Sequence, residues 1–61
     1  MVIGDEYALS GRRGYLRVTV LDTDPEVCGC GWVRVRFEEG MLAGQERPVS
    51  SRRVLAPWKK A

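Results

Sequence analysis

Histidine is absent from the 61 residues of this sequence. The side chain that most often acts as a general base near neutral pH is therefore missing, together with every serine-histidine or cysteine-histidine arrangement. Glu38 and Glu39 are adjacent, so on an extended chain their carboxylates point in opposite directions. The sequence predicts a protein that is not an enzyme and has no small-molecule substrate.

Cysteine is scarce and occurs only as Cys28 and Cys30. Two thiolates without an imidazole fall short of the four ligands of a structural zinc ion, so only a dimer could complete such a site. A disulfide between them would be strained, because an extended i, i+2 pair barely comes within about 6.8 Å. Asp22, Asp24 and Glu26 lack the central glycine of a calcium loop, and turn formation explains them. We expect free thiols, no metal and no cofactor.

Long apolar runs are also missing. None approaches the roughly 18 residues of a membrane span, and the first ten residues carry acids where a secretion signal would carry bases. Two cysteines cannot build the disulfide framework of a small secreted domain. We therefore expect a cytoplasmic protein with no membrane partner, folded as one domain over residues 1–61 with a core region of about 4–58 and a short tail at 59–61.

Two segments alternate apolar and polar side chains, as strands with one buried face do. They are residues 14–21, GYLRVTVL, and residues 32–37, WVRVRF. The intervening DTDPEVCGCG contains Pro25 and two glycines and predicts a long hairpin loop. The register with Leu21 opposite Trp32 aligns the apolar residues, pairing Val20 with Val33, Val18 with Val35 and Leu16 with Phe37.

The remaining segments predict shorter elements. A strand is expected at 5–9, a tight loop at 10–14, a loop at 39–45, and an edge strand at 46–49, since Pro48 cannot donate to a ladder. A serine cap predicts a helical or 3₁₀ turn over 50–55, ended by Pro57, with a last short strand or anchor beginning at Trp58.

Together these elements predict an all-β fold, a small five-stranded barrel with a short 3₁₀ or helical turn before the last strand. The predicted core consists of Ile3, Ala8, Leu16, Val18, Val20, Val33, Val35, Phe37, Val49, Val54 and Leu55.

The order of signals resembles the Tudor-like branch of the SH3-like barrels, from about Gly4 to Trp58. Gly4-Asp5 enters the first strand, and GYLRVTVLD, GWVRVRFEEG and VLAPW follow. The resemblance implies a binding or assembly role, since such barrels serve as peptide readers, methyl-mark readers, RNA and DNA binders and plain assembly modules. Tyr15 falls where Tudor domains place an aromatic of the cage that holds methylated cations. The acid-tyrosine-glycine turn of that family is Glu38-Glu39-Gly40 here, without tyrosine, so Tyr7, Trp32 or Trp58 would have to complete a different cage.

Charge provides the leading functional prediction. The net charge is +2, with three bases against five acids in residues 1–30 and seven against three in 31–61. Arginines on one sheet face beside a tryptophan could hold phosphates while the ring stacks on a base, which predicts binding of RNA or DNA. A salt-bridged, solvated face is the alternative, because Glu38, Glu39 and Glu46 lie nearby in the sequence. The predicted nucleic-acid-binding residues are Arg17, Trp32, Arg34 and Arg36, extended by Arg12, Arg13, Arg52 and Arg53 and by Lys59 and Lys60.

A protein-interaction module, acting as an adaptor or an inhibitor, is the alternative function. Met41 and Leu42 occupy a loop with few ways to bury them, and Trp58 lies near the terminus, so an apolar contact patch is expected there. An open barrel edge could also accept a partner strand. The residues predicted for this interaction are Tyr15, Met41, Leu42 and Trp58.

Overall fold

Five antiparallel strands form one sheet in the computed structural model, which describes residues 1–12 and 14–58. Their spatial order is β4-β3-β2-β1-β5. The prediction of a small all-β domain with five strands and a 3₁₀ turn before the last one is confirmed. The elements in chain order are β1 Glu6–Gly11, β2 Gly14–Asp22, α1 Pro25–Cys28, β3 Trp32–Phe37, β4 Glu46–Ser50, the 3₁₀ turn Ser51–Arg53 and β5 Val54–Pro57.

One face of the sheet is apolar and buried, and we call it the core face. Alternation along β3 buries Val33, Val35 and Phe37 and exposes Trp32, Arg34 and Arg36. Leu16, Leu42 and Val54 are partly buried and pack against the core. The buried core side chains are Tyr7, Leu9, Val18, Val20, Val33, Val35, Phe37 and Val49.

The β2–β3 register differs from the predicted one by two residues. Val18 lies opposite Phe37, and Val20 lies opposite Val35. A shift of two residues keeps every side chain on its face, so the prediction of which residues face the core survives the error in pairing. The register is irregular after Val20, and Asp22 pairs with Arg34.

A helical turn, α1, occupies part of the predicted hairpin loop. The side chain of Asp24 accepts a hydrogen bond from the N–H of Glu26 at 2.9 Å, and Pro25 occupies the first turn. An N-terminal cap followed by proline is the usual start of a helix. The turn ends at Gly29, whose φ of 97° lies in a region that side chains rarely adopt.

The first strand presents the opposite residues to the core from those predicted. Tyr7 and Leu9 are buried, whereas Ala8 lies on the other face. The reason is pairing, because Tyr7 lies opposite Val18 and Leu9 opposite Leu16, which fixes both on the core face. Ile3 and Leu55 were also predicted in the core, and they are 58% and 53% exposed.

The last strand begins earlier than predicted. β5 runs from Val54 to Pro57 and ends before Trp58. The 3₁₀ turn has only three residues, and Val54 is already extended and pairs with Leu9 of β1. Trp58 follows the strand, and its N–H donates to the carbonyl oxygen of Glu6 at 2.9 Å.

The sheet is strongly curled but open. In a flat sheet of this order, β4 and β5 would lie four strand spacings apart, about 19 Å. The four Cα steps from Ser50 to Val54 span at most about 14 Å. The short connection therefore draws the two edges together, although no β4–β5 pairing occurs among the described residues.

Candidate functional site

Arg17, Arg34 and Arg36 share the face of the sheet opposite the core, which we call the outer face. Arg34 and Arg36 alternate along β3 with the buried Val33 and Val35. The sequence pattern predicted this placement. What it left open was whether carboxylates lie beside these three guanidinium groups.

Each of the three arginines lies beside a glutamate. Neighbouring strands and the end of β3 supply these carboxylates. The three pairs contain three guanidinium groups and three carboxylates, so their charges balance. The pairs are Arg17 Nε with Glu6 Oε2 at 3.6 Å, Arg34 Nη2 with Glu46 Oε1 at 3.6 Å, and Arg36 Nε with Glu38 Oε2 at 3.1 Å.

The pair of Arg36 and Glu38 is the best formed. A second hydrogen bond joins Nη2 of Arg36 to Oε1 of Glu38 at 3.2 Å. Hydrogen bonding by Arg36 lowers the pKa of Glu38, and the same contact raises the pKa of Arg36. Both groups are therefore charged around neutral pH and neutralise each other, which weakens the attraction of this face for phosphates.

Trp32 begins β3 and is 47% exposed. A Cβ atom placed on Gly29 would lie 3.5 Å from Cδ1 of Trp32, so the ring rests against the end of α1. The exposed part of the indole lies on the same side of β3 as Arg34, as predicted for a stacking platform.

The other predicted arginines lie around the β1–β2 turn and the 3₁₀ turn. Arg12 and Arg52 are exposed, and no carboxylate among the described residues lies within 4 Å of either. Arg53 donates from Nε at 3.1 Å and from Nη2 at 2.9 Å to the carbonyl oxygen of Ser10, and so fastens the 3₁₀ turn to β1. Arg13, Lys59 and Lys60 lie outside the described residues.

A groove of about 450 Å³ lies between the β1–β2 turn and the β3–β4 loop. Tyr15, 64% exposed, and Met41, fully exposed, are the large apolar side chains of its lining that are exposed to solvent, whereas Leu16 is partly buried. Three of its lining residues are glycines, so the backbone forms much of its surface. We call it the Tyr15 groove, and its lining residues are Gly11, Arg12, Gly14, Tyr15, Leu16, Gly40 and Met41.

Hydrogen bonds to Arg17 hold the β3–β4 loop beside β2. The N–H of Arg17 donates to Oε1 of Glu39 at 3.1 Å, and the N–H of Glu38 donates to the carbonyl oxygen of Arg17 at 3.0 Å. Within the loop, the N–H of Gly44 donates to the carbonyl oxygen of Phe37. The loop that carries Met41 is therefore anchored at its start and closed at its end, so the groove is formed without a ligand.

The other two residues predicted for a protein contact lie elsewhere. Leu42 is partly buried and packs against the core, so its side chain supports the fold. Trp58 is half-buried after β5, bonded through its backbone to Glu6 at the start of β1. Of the four predicted contact residues, only Tyr15 and Met41 line one groove.

Cys28 and Cys30 are free thiols. Cys28 Sγ lies 3.7 Å from the carbonyl oxygen of Asp22, and Cys28 helps to line a smaller groove of about 270 Å³ with Val27, Arg34 and Pro48. Among the residues that the structure describes, no group of three or more histidine, cysteine, aspartate or glutamate side chains is placed to hold a metal ion.

Within the same described part of the chain, no helix is both long enough and apolar enough to cross a membrane.

The comparisons with known proteins found no match. No family model, no curated protein sequence and no solved structure resembles the chain closely enough to be matched to it. The sequence did not predict that the Tyr15 groove would also be lined by Gly11, Gly14, Leu16 and Gly40. The glycines in two separate loops were the one sequence feature that could have indicated this groove.

Proposed function

We propose that this chain is a non-enzymatic protein-interaction module, and that a segment of its partner protein binds in the Tyr15 groove. The observation that carries the proposal is the exposure of Tyr15 and Met41 on a formed groove. Single exposed apolar residues are ordinary on a surface, but two that line one concave surface are typical of a recognition site.

We further propose that the fold is an SH3-like, Tudor-like barrel in a half-open form. The strand order β4-β3-β2-β1-β5 supports this, as does the 3₁₀ turn before the last strand. The curl that the short β4–β5 connection imposes supports it as well. The Tyr15 groove lies between the loops that join β1 to β2 and β3 to β4, where the Tudor resemblance places ligand binding.

The relative size of the energies favours this groove over the outer face. Burying about 100 Å² of the exposed Tyr15 ring contributes about 2.5 kcal/mol. An exposed ion pair contributes at most about 1 kcal/mol, and on the outer face a ligand would first have to displace a glutamate. An apolar side chain packed between Tyr15 and Met41 is therefore the larger source of affinity.

An aromatic cage for a methylated cation is not supported by the described residues. Among the lining residues that the structure describes, Tyr15 is the one with an aromatic side chain. Tyr7 is buried, and its hydroxyl accepts a hydrogen bond from the N–H of Val2 at 2.7 Å. Trp32 rests against α1 and Trp58 lies near the start of β1.

The test is selection of peptides from a random display library, followed by calorimetry with the selected peptides. We expect Tyr15→Ser and Met41→Ser each to weaken binding by roughly tenfold or more, since each removes apolar contact area. Val27→Ser is the matched control, because Val27 is equally exposed but lines the other groove. If the selected peptides bind both groove variants as tightly as the wild type, the groove is not the binding site.

Nucleic-acid binding is the second candidate function. It is supported by Arg12 and Arg52, exposed arginines without a carboxylate within 4 Å among the described residues. Fluorescence anisotropy with short RNA and DNA should then show affinity that falls steeply with salt. We expect Arg12→Gln and Arg52→Gln to weaken such binding more than Arg34→Gln and Arg36→Gln, whose charges are already paired. No binding at low salt would eliminate this candidate.

A cytoplasmic location is also proposed. It is supported by the two free thiols and by a sequence without a disulfide framework. We expect both Cys28 and Cys30 to be reduced in the cell. Labelling of intact cells with a thiol reagent measures this.

A further inference from the structure

We infer that the segment bound in the Tyr15 groove is acidic, with a carboxylate next to its apolar anchor and paired with Arg12. This inference rests on the proposed function, because it specifies the ligand of the same groove. It excludes the methylated cation that a Tudor cage would hold.

The described residues that line the Tyr15 groove carry a positive charge. Among the described residues that line the groove, Arg12 is the one that carries a charge, and none carries a carboxylate. A cationic ligand would meet the Arg12 guanidinium without a compensating acid, whereas an anionic ligand would gain a partner.

The two carboxylates where β3 passes into the β3–β4 loop, which borders the groove, are already engaged. Glu39, at the start of the β3–β4 loop, accepts from the N–H of Arg17, and Glu38 pairs with Arg36. Neither is a described ion-pair partner of Arg12. The guanidinium of Arg12 therefore remains available for a ligand.

A second guanidinium group increases the positive potential at this end of the groove. Arg53 donates twice to the carbonyl oxygen of Ser10, the residue before Gly11 of the lining. Its donors are partly used in this contact, so it contributes mainly charge.

A carboxylate fits this arrangement better than a phosphate. Recognition of phosphorylated peptides relies on clusters of arginines, and among the described residues one guanidinium, that of Arg12, lines the groove. The planar fork of a single arginine matches the two oxygens of one carboxylate. The apolar surface of Tyr15 and Met41 then receives the neighbouring side chain.

The experiment uses an array of short synthetic peptides in which leucine or phenylalanine is followed by aspartate, asparagine, phosphoserine or trimethyl-lysine. We expect the full chain to bind the aspartate peptides about fivefold more tightly than the asparagine peptides, the size of a well-placed exposed ion pair. Arg12→Gln should abolish this preference. Arg52→Gln is the control, since it removes the same charge from an exposed position that does not line the groove.

The outcomes separate this inference from the proposed function. Equal binding of aspartate and asparagine peptides, still lost in Tyr15→Ser, would overturn the acidic ligand and leave the groove in place. A preference for trimethyl-lysine or for phosphoserine would also overturn it. If Arg12→Gln and Arg52→Gln weaken binding of the aspartate peptides equally, the effect is one of net charge. That result would overturn the pairing of the ligand carboxylate with Arg12. Binding of oligonucleotides without any peptide binding would overturn both proposals.

Discussion

Leu9 and Leu55 show at the residue scale how little hydropathy alone determines burial. Both are leucines in short strands, yet Leu9 is completely buried and Leu55 is 53% exposed. Leu9 lies on β1, which has a neighbouring strand on each side, whereas Leu55 lies on the edge strand β5. Local sequence predicted Leu55 in the core and omitted Leu9, because the residue on either side of Leu9 is small or polar and gives no clear alternation.

The first prediction concerns these two leucines. Leu9→Ala should lower the free energy of unfolding by about 3 kcal/mol, since it removes a fully buried side chain and leaves a cavity. Leu55→Ala should change it by less than about 0.5 kcal/mol, as surface substitutions usually do. Urea unfolding followed by tryptophan fluorescence measures both. Equal losses in the two variants would contradict the assignment of the core face of β1.

The element that connects β4 to β5 determines the shape of the sheet at the scale of secondary structure. The 3₁₀ turn begins after Ser50, whose hydroxyl oxygen accepts a long hydrogen bond from the N–H of Arg52 at 3.4 Å. The serine cap was recognisable in the sequence. The second attachment, from Arg53 to the carbonyl oxygen of Ser10, joins residues 43 positions apart. It could not be recognised in the sequence.

The second prediction tests that attachment. Arg53→Gln should destabilise the protein by about 1 kcal/mol, because it removes a charged donor that makes two hydrogen bonds but stays solvent-exposed. Arg52→Gln, the neighbouring exposed arginine, should have little effect. Hydrogen exchange at Val54 and Ala56 should become faster only in Arg53→Gln, since β5 loses its anchor. Identical unfolding curves for the two variants would contradict the role of Arg53.

At the element scale, the loop between β2 and β3 also combines a feature that the local sequence predicts with one that it does not. Asp24-Pro25-Glu26 carries a cap, a proline in the first turn and an early acid, so the helical turn α1 could have been predicted from local signals. The irregular register after Val20 could not, because it depends on how the chain returns from α1 to meet β2.

At the scale of the whole molecule, the open sheet leaves two edges, and each contains a proline. The N–H of Phe37 donates to the carbonyl oxygen of Gln45, and the N–H of Ser51 donates to that of Gly31. Since hydrogen-bonded and non-bonded pairs alternate in an antiparallel ladder, Pro48 of β4 belongs to a non-bonded pair and its nitrogen faces the free edge.

Pro57 of β5, on the other edge of the sheet, also lies in a non-bonded pair. The N–H of Trp58 donates to the carbonyl oxygen of Glu6, which makes Tyr7 and Pro57 a non-bonded pair. The nitrogen of Pro57 therefore also faces outward. Each proline removes one N–H group that a second chain could use, a common protection of edge strands. This arrangement favours recognition through the groove over strand addition at an edge.

The third prediction tests that protection. Pro48→Val restores an outward N–H and adds a residue that favours strands, so we expect association that increases with protein concentration. Sedimentation velocity at several concentrations measures it. Pro25→Val, a change of the same kind within α1, is the control and should remain like the wild type. If the sedimentation coefficient of Pro48→Val does not change with protein concentration, the proline does not protect the β4 edge.

The sequence by itself determined which side chains of β2 and β3 face the core, where the turns lie, and that the fold is all-β, because alternation and turn chemistry are local properties of the chain. Only the tertiary structure decided the facing of β1, the β2–β3 register, the pairing of each outer-face arginine with a glutamate, and the placement of Tyr15 and Met41 along one groove. These features join residues that are distant along the chain, and their positions depend on how the whole sheet curls. Burial and charge are properties of the surroundings, and the surroundings are complete only when all five strands have paired.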